Sequence, residues 1–181
     1  MNLQPASENK KRLMFIKGED FYFLTYNIII ILNTFGCTSE AKTFKDYRKF
    51  AFLIDFISDW SLLNILLAYP SGKHVNYRDK ESLTRSYSSG LVRMNEILKL
   101  LFALEKKGIL GLTKNATNGN LDVYLNKSAI PEDLFENEIF KLEQDNANML
   151  KRSFSKISML KLETLLNNFY YTYGITKWLT F

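Results

Sequence analysis

The chain has 181 residues, 46% of them hydrophobic and 14% aromatic, enough apolar side chain for one packed domain without disulfide or metal staples. A single cysteine, Cys37, excludes a bridge within the chain, and a single histidine, His74, leaves no His/Cys metal set and no obvious base for a nucleophile. The formal net charge of +5 and pI near 9.1 suit an anionic partner, although a modest Lys/Arg excess is equally an ordinary solvated surface.

Residues 1–18 are polar and mildly basic, carry Pro5 and show no apolar period, so they read as a flexible N-terminal arm ahead of one helical domain over 19–181. Lys10, Lys11 and Arg12 precede only Leu13 to Ile16 before Lys17 intervenes, which is too short for a signal core. Phe21 to Phe35 is a continuous apolar block with Glu19 and Asp20 before it and Gly36 after it, the start and stop signals of a helix, although the β-branched run Ile28 to Ile31 also suits a strand. Its most apolar part, Phe21 to Leu32, falls short of the ~20 residues that span a bilayer. A soluble, cytoplasmic protein is expected. A helix apolar nearly all round implies burial, either inside the fold or against a partner.

Thr43 to Ile57 reads as a second helix, with Phe44, Tyr47, Phe50, Ala51, Ile54 and Ile57 spaced by threes and fours. Ser58 or Asp59 then caps a short helix from Trp60 to Leu67, which Pro70, Ser71 and Gly72 end. Lys73 to Asp79 reads as a loop. Next come a short helix over Lys80 to Ser88, a Ser89-Gly90 turn, and a long helix from Leu91 to Lys107 with Met94, Ile97, Leu98, Leu101 and Leu104 on its inner face. Gly108 stops that helix. Ile109 to Thr113 and Leu121 to Leu125 read as strands, and Asn118-Gly119 between them favours a tight hairpin. Helix, turn, longer helix and two-stranded wing are the order of a winged helix-turn-helix, here over about 80–126. The expected fold is therefore mainly α with a small β-hairpin wing, a winged-helix core flanked by N- and C-terminal helices. The C-terminal helices, over 131–181, are expected at about Pro131 to Arg152 and Ser158 to Tyr171, with an aromatic tail.

No catalytic constellation emerges. His74 sits in a polar stretch beside Lys73, no Cys-x-x-Cys or phosphate-cradling glycine pattern occurs, and Asp55, Asp59, Glu96 and Glu105 read as caps and surface charges. The chain is expected not to be an enzyme and to need no cofactor or metal. Two binding roles remain. As a DNA reader, the helix Leu91 to Lys107 would present Val92, Asn95, Glu96, Lys99, Ala103 and Lys106 outward, with Asn95 suited to adenine and Lys99 to a phosphate. Arg85, Arg93, Lys106, Lys107 and Lys114 would add positive charge, whereas Glu96 would be repelled by phosphates. As an adaptor, the chain would use its apolar flanks, with Phe21, Tyr22, Tyr26, Trp60, Tyr171, Tyr173, Trp178 and Phe181 as partner contacts, since aromatic residues concentrate at interface centres.

The layout resembles the middle component of bacterial ABC-three-component defence systems, including the LmuC-like subunit of Lamassu-type antiphage systems. The likeness rests on the apolar helix Tyr22 to Asn33, the block Lys49-Phe50-Ala51-Phe52-Leu53-Ile54-Asp55-Phe56-Ile57, and a winged-helix-like module running into Leu104-Glu105-Lys106-Lys107-Gly108-Ile109-Leu110. It covers roughly residues 20 to 130 and is one of layout and size. The resemblance implies a non-catalytic subunit that bridges an SMC-like ATPase and an effector nuclease, restraining the effector until foreign DNA is sensed. The alternative is a winged-helix transcriptional regulator binding duplex DNA as a dimer.

Overall fold

The computed structural model describes residues 21–70, 75–115, 119–136, 138–154 and 156–175. Most of these residues are helical, and a two-stranded antiparallel sheet completes the fold. The expected arm at residues 1–18, His74, Asn118, Trp178 and Phe181 lie outside the described residues.

Helix α1 spans Phe21–Thr34. Gly36 follows it at φ 71°, and the Cys37 N–H reaches back to the Leu32 carbonyl, the six-to-one bond of a glycine-terminated helix. Ile28 to Leu32 are buried inside the fold, so the all-round apolarity of α1 is spent internally. Helix α2, Phe50–Ser58, is the hub: Phe50 through Ile54, Phe56 and Ile57 are buried. Each large apolar side chain removed from water this way contributes roughly 1.5–3 kcal/mol. Asp59 accepts a hydrogen bond from the Ser61 N–H at 2.8 Å and caps α3, Trp60–Ala68, as the sequence suggests.

Thr43 to Ile57 is not one helix. Phe44 instead exchanges two backbone hydrogen bonds with Val123 (2.7 and 3.0 Å), a 3-10 turn covers Tyr47–Lys49, and α2 begins only at Phe50. Asp46 breaks the helical path at φ 63°, where it accepts from the Arg48 N–H. Nor is there a turn at Ser89-Gly90. Helix α4 runs unbroken from Tyr77–Lys106, capped by Asn76, whose side chain accepts from the Asp79 N–H. Gly90 serves packing: a Cβ there would lie 2.7 Å from Cε1 of the buried Phe52 ring, so glycine lets α4 press against α2.

Gly108, at φ 73°, ends α4, and Ile109 donates to the Leu104 carbonyl. Strands β1, Leu110–Lys114, and β2, Leu121–Leu125, pair antiparallel with Leu112 opposite Val123. Because Phe44 pairs on the other side of Val123, the local order is Phe44, β2, β1. The stretch expected to be one helix from Pro131 to Arg152 is two 3-10 turns, Glu132–Phe135 and Glu138–Phe140, followed by α5, Lys141–Ser153. Ser158 lies in another 3-10 turn, Ile157–Met159, and α6 is shorter than expected, Leu162–Phe169. No single described helix is long and apolar enough to cross a membrane; the apolar pair Tyr47–Ser58 and Trp60–Ala68 is bent by 96°.

Candidate interaction face

Helix α4 places its apolar side chains inward. Leu83, Tyr87, Ile97, Leu100, Leu101 and Leu104 are buried, while Met94 and Leu98 are half-buried. The opposite side exposes Glu81, Arg85, Ser88, Val92, Asn95, Lys99, Phe102 and Lys106. These eight alternate in steps of four and three, so they form one straight seam along the helix. The expected outward residues Val92, Asn95, Lys99 and Lys106 are on it; Glu96 and Ala103 are half-buried at its border. Phe102, 50% exposed, was not anticipated, although its place seven residues beyond Asn95 assigns it to the same seam.

The expected basic contacts separate. Arg85 is exposed and sits 3.4 Å from Glu81, a pair solvent screens heavily. Arg93 points inward: it lies 2.8 Å from Asp55 and donates to the Ala51 carbonyl at 2.9 Å. It is a brace between α4 and α2 rather than a contact for nucleic acid, and Asp55 is its counter-ion rather than a surface charge. Asp55 also accepts from Ser86 at 2.9 Å, and Ser86 lies 3.0 Å from the buried Tyr170 hydroxyl. Burial, above all, drives the Tyr170 hydroxyl well above the usual phenol range. Lys107 and Lys114 are exposed at the end of α4 and the end of β1.

The aromatic contacts separate too. Phe21 and Tyr22 are 42% and 63% exposed, packed edge to face at 6.1 Å, with the Lys107 ammonium 6.0 Å from the Phe21 ring. Trp60 is 45% exposed at the start of α3. Tyr26 is half-buried against Phe140, ring centres 4.5 Å apart. Tyr171 is half-buried beside the Tyr87 hydroxyl, 3.3 Å away, and burial followed by that contact raises its pKa. Tyr173 is a core residue whose hydroxyl donates to the Leu66 carbonyl at 3.4 Å.

A polar junction at the turn end of the hairpin has no counterpart in the sequence pattern. Asp122 is buried and accepts from Lys45 Nζ (2.9 Å), the Asp46 N–H (3.0 Å) and Asn115 (3.2 Å). Asp46 is held by Arg48 through two bonds, 2.9 and 2.7 Å, and by Asn120 at 3.2 Å. The hydrogen bonds that Arg48 donates to Asp46 raise the guanidinium's pKa, so Arg48 stays charged. Lys49 is fully buried. Its three ammonium protons meet three carbonyls, those of Ile157 (2.7 Å), Ser158 (3.0 Å) and Leu160 (2.9 Å), and its charge lies 4.4 Å from the Phe44 ring. Desolvation nonetheless lowers its pKa to about 7, against the opposing pull of Asp46, Cys37 and Asp122. Cys37 is buried, and burial raises its thiol to about 11, so the thiol stays protonated and unreactive near neutrality. Among the described residues no group of three or more His, Cys, Asp or Glu side chains has the geometry of a metal site.

Comparisons with protein-family models, with curated proteins and with solved structures found no match.

Proposed function

We propose that this protein is a non-catalytic adaptor subunit of a multi-protein antiphage defence complex, joining an SMC-like ATPase to an effector nuclease in the cytoplasm. The observation that carries the reading is the surface left over after folding. Phe21 and Tyr22 are exposed at the start of α1, beside Lys107, although Leu24 and Ile28 to Leu32 of the same helix are buried. Exposed aromatic pairs next to a cation are the kind of anchor that protein interfaces use. Meanwhile the carboxylates at Asp46, Asp55 and Asp122 are each bound to structural cations, which leaves them serving the fold. A cytoplasmic, DNA-sensing assembly also agrees with the net positive charge. The likeness in layout to the Lamassu-type middle component supplies the identity of the partners.

The winged-helix reading keeps its two-stranded wing, to which Phe44 adds a single bridge at Val123. It must now place α4 as one 30-residue helix leading into the hairpin. The regulator alternative keeps Asn95, Lys99, Lys106, Lys107 and Lys114 exposed but loses Arg93, and its DNA-facing seam would carry Glu81, Val92 and Phe102.

Affinity capture of the tagged chain from its native host, followed by mass spectrometry, separates the two. The adaptor reading expects an SMC-like ATPase and a nuclease in stoichiometric amount, both lost from a Phe21→Ser/Tyr22→Ser variant. Capture of the chain alone, with duplex DNA retained at low salt and shed at high salt, overturns it in favour of the regulator.

A further inference from the structure

The seam of α4 has a property that neither reading uses. Its eight exposed positions, Glu81, Arg85, Ser88, Val92, Asn95, Lys99, Phe102 and Lys106, step by four, three, four, three, four, three, four. That is the spacing of one face of a helix, and Arg78, exposed three residues before Glu81, extends it. Laid against itself in antiparallel sense, with the two-fold axis between Arg93 and Met94, every seam residue faces a seam residue of the second copy. Glu81 faces Lys106, Arg85 faces Phe102, Ser88 faces Lys99 and Val92 faces Asn95.

Charge decides the direction. A parallel pairing would set Glu81, Arg85, Lys99 and Lys106 each against its own copy, four like-charge contacts. The antiparallel pairing turns these into two Glu–Lys pairs, two Arg-over-Phe contacts and two Ser–Lys contacts. Small side chains at Ser82, Ser88, Ser89 and Ala103 let two helices approach closely, and burying Val92 (74% exposed) and Phe102 (50% exposed) supplies the apolar contribution.

We propose that the occupant of this face is a second copy of the chain, and that α4 forms an antiparallel, two-fold-symmetric helix pair. The seam from Glu81 to Lys106 is about 38 Å long at 1.5 Å per residue, narrow and largely polar, so the expected association is micromolar rather than nanomolar. The proposal does not depend on the adaptor reading, because it concerns the isolated chain.

Sedimentation equilibrium of the full chain over roughly 5 to 500 µM tests it. The expected result is a monomer–dimer equilibrium within that range. Val92→Glu/Phe102→Glu should weaken it at least tenfold; both positions are exposed, and unchanged circular dichroism would confirm that the fold survives. Glu81→Lys should weaken dimerisation, and adding Lys106→Glu should restore it. For direction, Val92→Cys protein mixed with Asn95→Cys protein should give mainly the mixed disulfide, since the native Cys37 is buried. A monomer at every concentration, a dimer indifferent to the seam substitutions, or a preference for like-with-like disulfides would each overturn the proposal.

Discussion

Lys49 shows how one side chain can tie the two ends of a fold together at a cost. It stands at the entry to α2, yet its three bonds all go to carbonyls of residues 157–160, more than a hundred positions away. Burial lowers its pKa from 10.5 to about 7, so between those values the unfolded chain binds the proton more often than the folded one. Stability must therefore rise as pH increases from about 7 toward 10.5, and that gain is lost as pH falls back through about 7. The opposite effect of Cys37, whose thiol is raised from 9.0 to about 11, enters only toward the upper end. Urea unfolding at about pH 7 and about pH 8.5 should show the wild-type unfolding free energy rising, by up to about 1.4 kcal/mol per pH unit. Lys49→Met should flatten the slope. It should also lower stability at both pH values by roughly 1–3 kcal/mol, because buried carbonyls lose their donor. Equal slopes in the two proteins would contradict this account of Lys49.

At the scale of elements, the sequence pattern was legible wherever one helix face or one glycine decided the outcome. The end of α1 followed from Gly36, the cap of α3 from Asp59, the stop of α4 from Gly108, and the hairpin from two short apolar runs. The pattern misled where local and tertiary signals look alike. Ser89-Gly90 has the composition of a turn, but the requirement it meets is contact with Phe52, a residue 38 positions earlier in the chain. Likewise Phe44 fits a helical period with Tyr47 and Ala51, yet its backbone is claimed by Val123, and no local signal announces a strand partner so distant. Arg93 and Tyr173 failed as surface candidates for the same reason: Asp55 and Leu66 take them inward. The junction of Asp46 and Asp122 was invisible because its members are 76 positions apart. Gly90→Ala tests the packing explanation. Helix propensity alone would favour alanine by about 0.5–1 kcal/mol, whereas a clash with the immobile Phe52 ring should cost about 1–3 kcal/mol. Net destabilisation is expected in thermal unfolding. A higher melting temperature would show that Gly90 is not a packing glycine.

For the whole molecule, folding consumes most of the apolar sequence that first suggested docking. Residues Ile28 to Leu32 and the α2 block are internal, which leaves fewer large apolar side chains exposed, Phe21, Tyr22, Trp60 and those of the α4 seam among them. An aromatic pair at Phe21 and Tyr22 and a long polar seam on α4 suit a small subunit that meets more than one neighbour. A seam used for self-pairing and an aromatic end used for a different subunit would let one chain both duplicate and bridge. The central claim is that this protein works inside a larger assembly, and the mass of the endogenous species tests it most directly. Native mass spectrometry of the protein, tagged at its own locus and purified gently, should return a complex far heavier than two 21.1 kDa chains, containing an ATPase and a nuclease. A species of one or two chains carrying only duplex DNA would contradict the account.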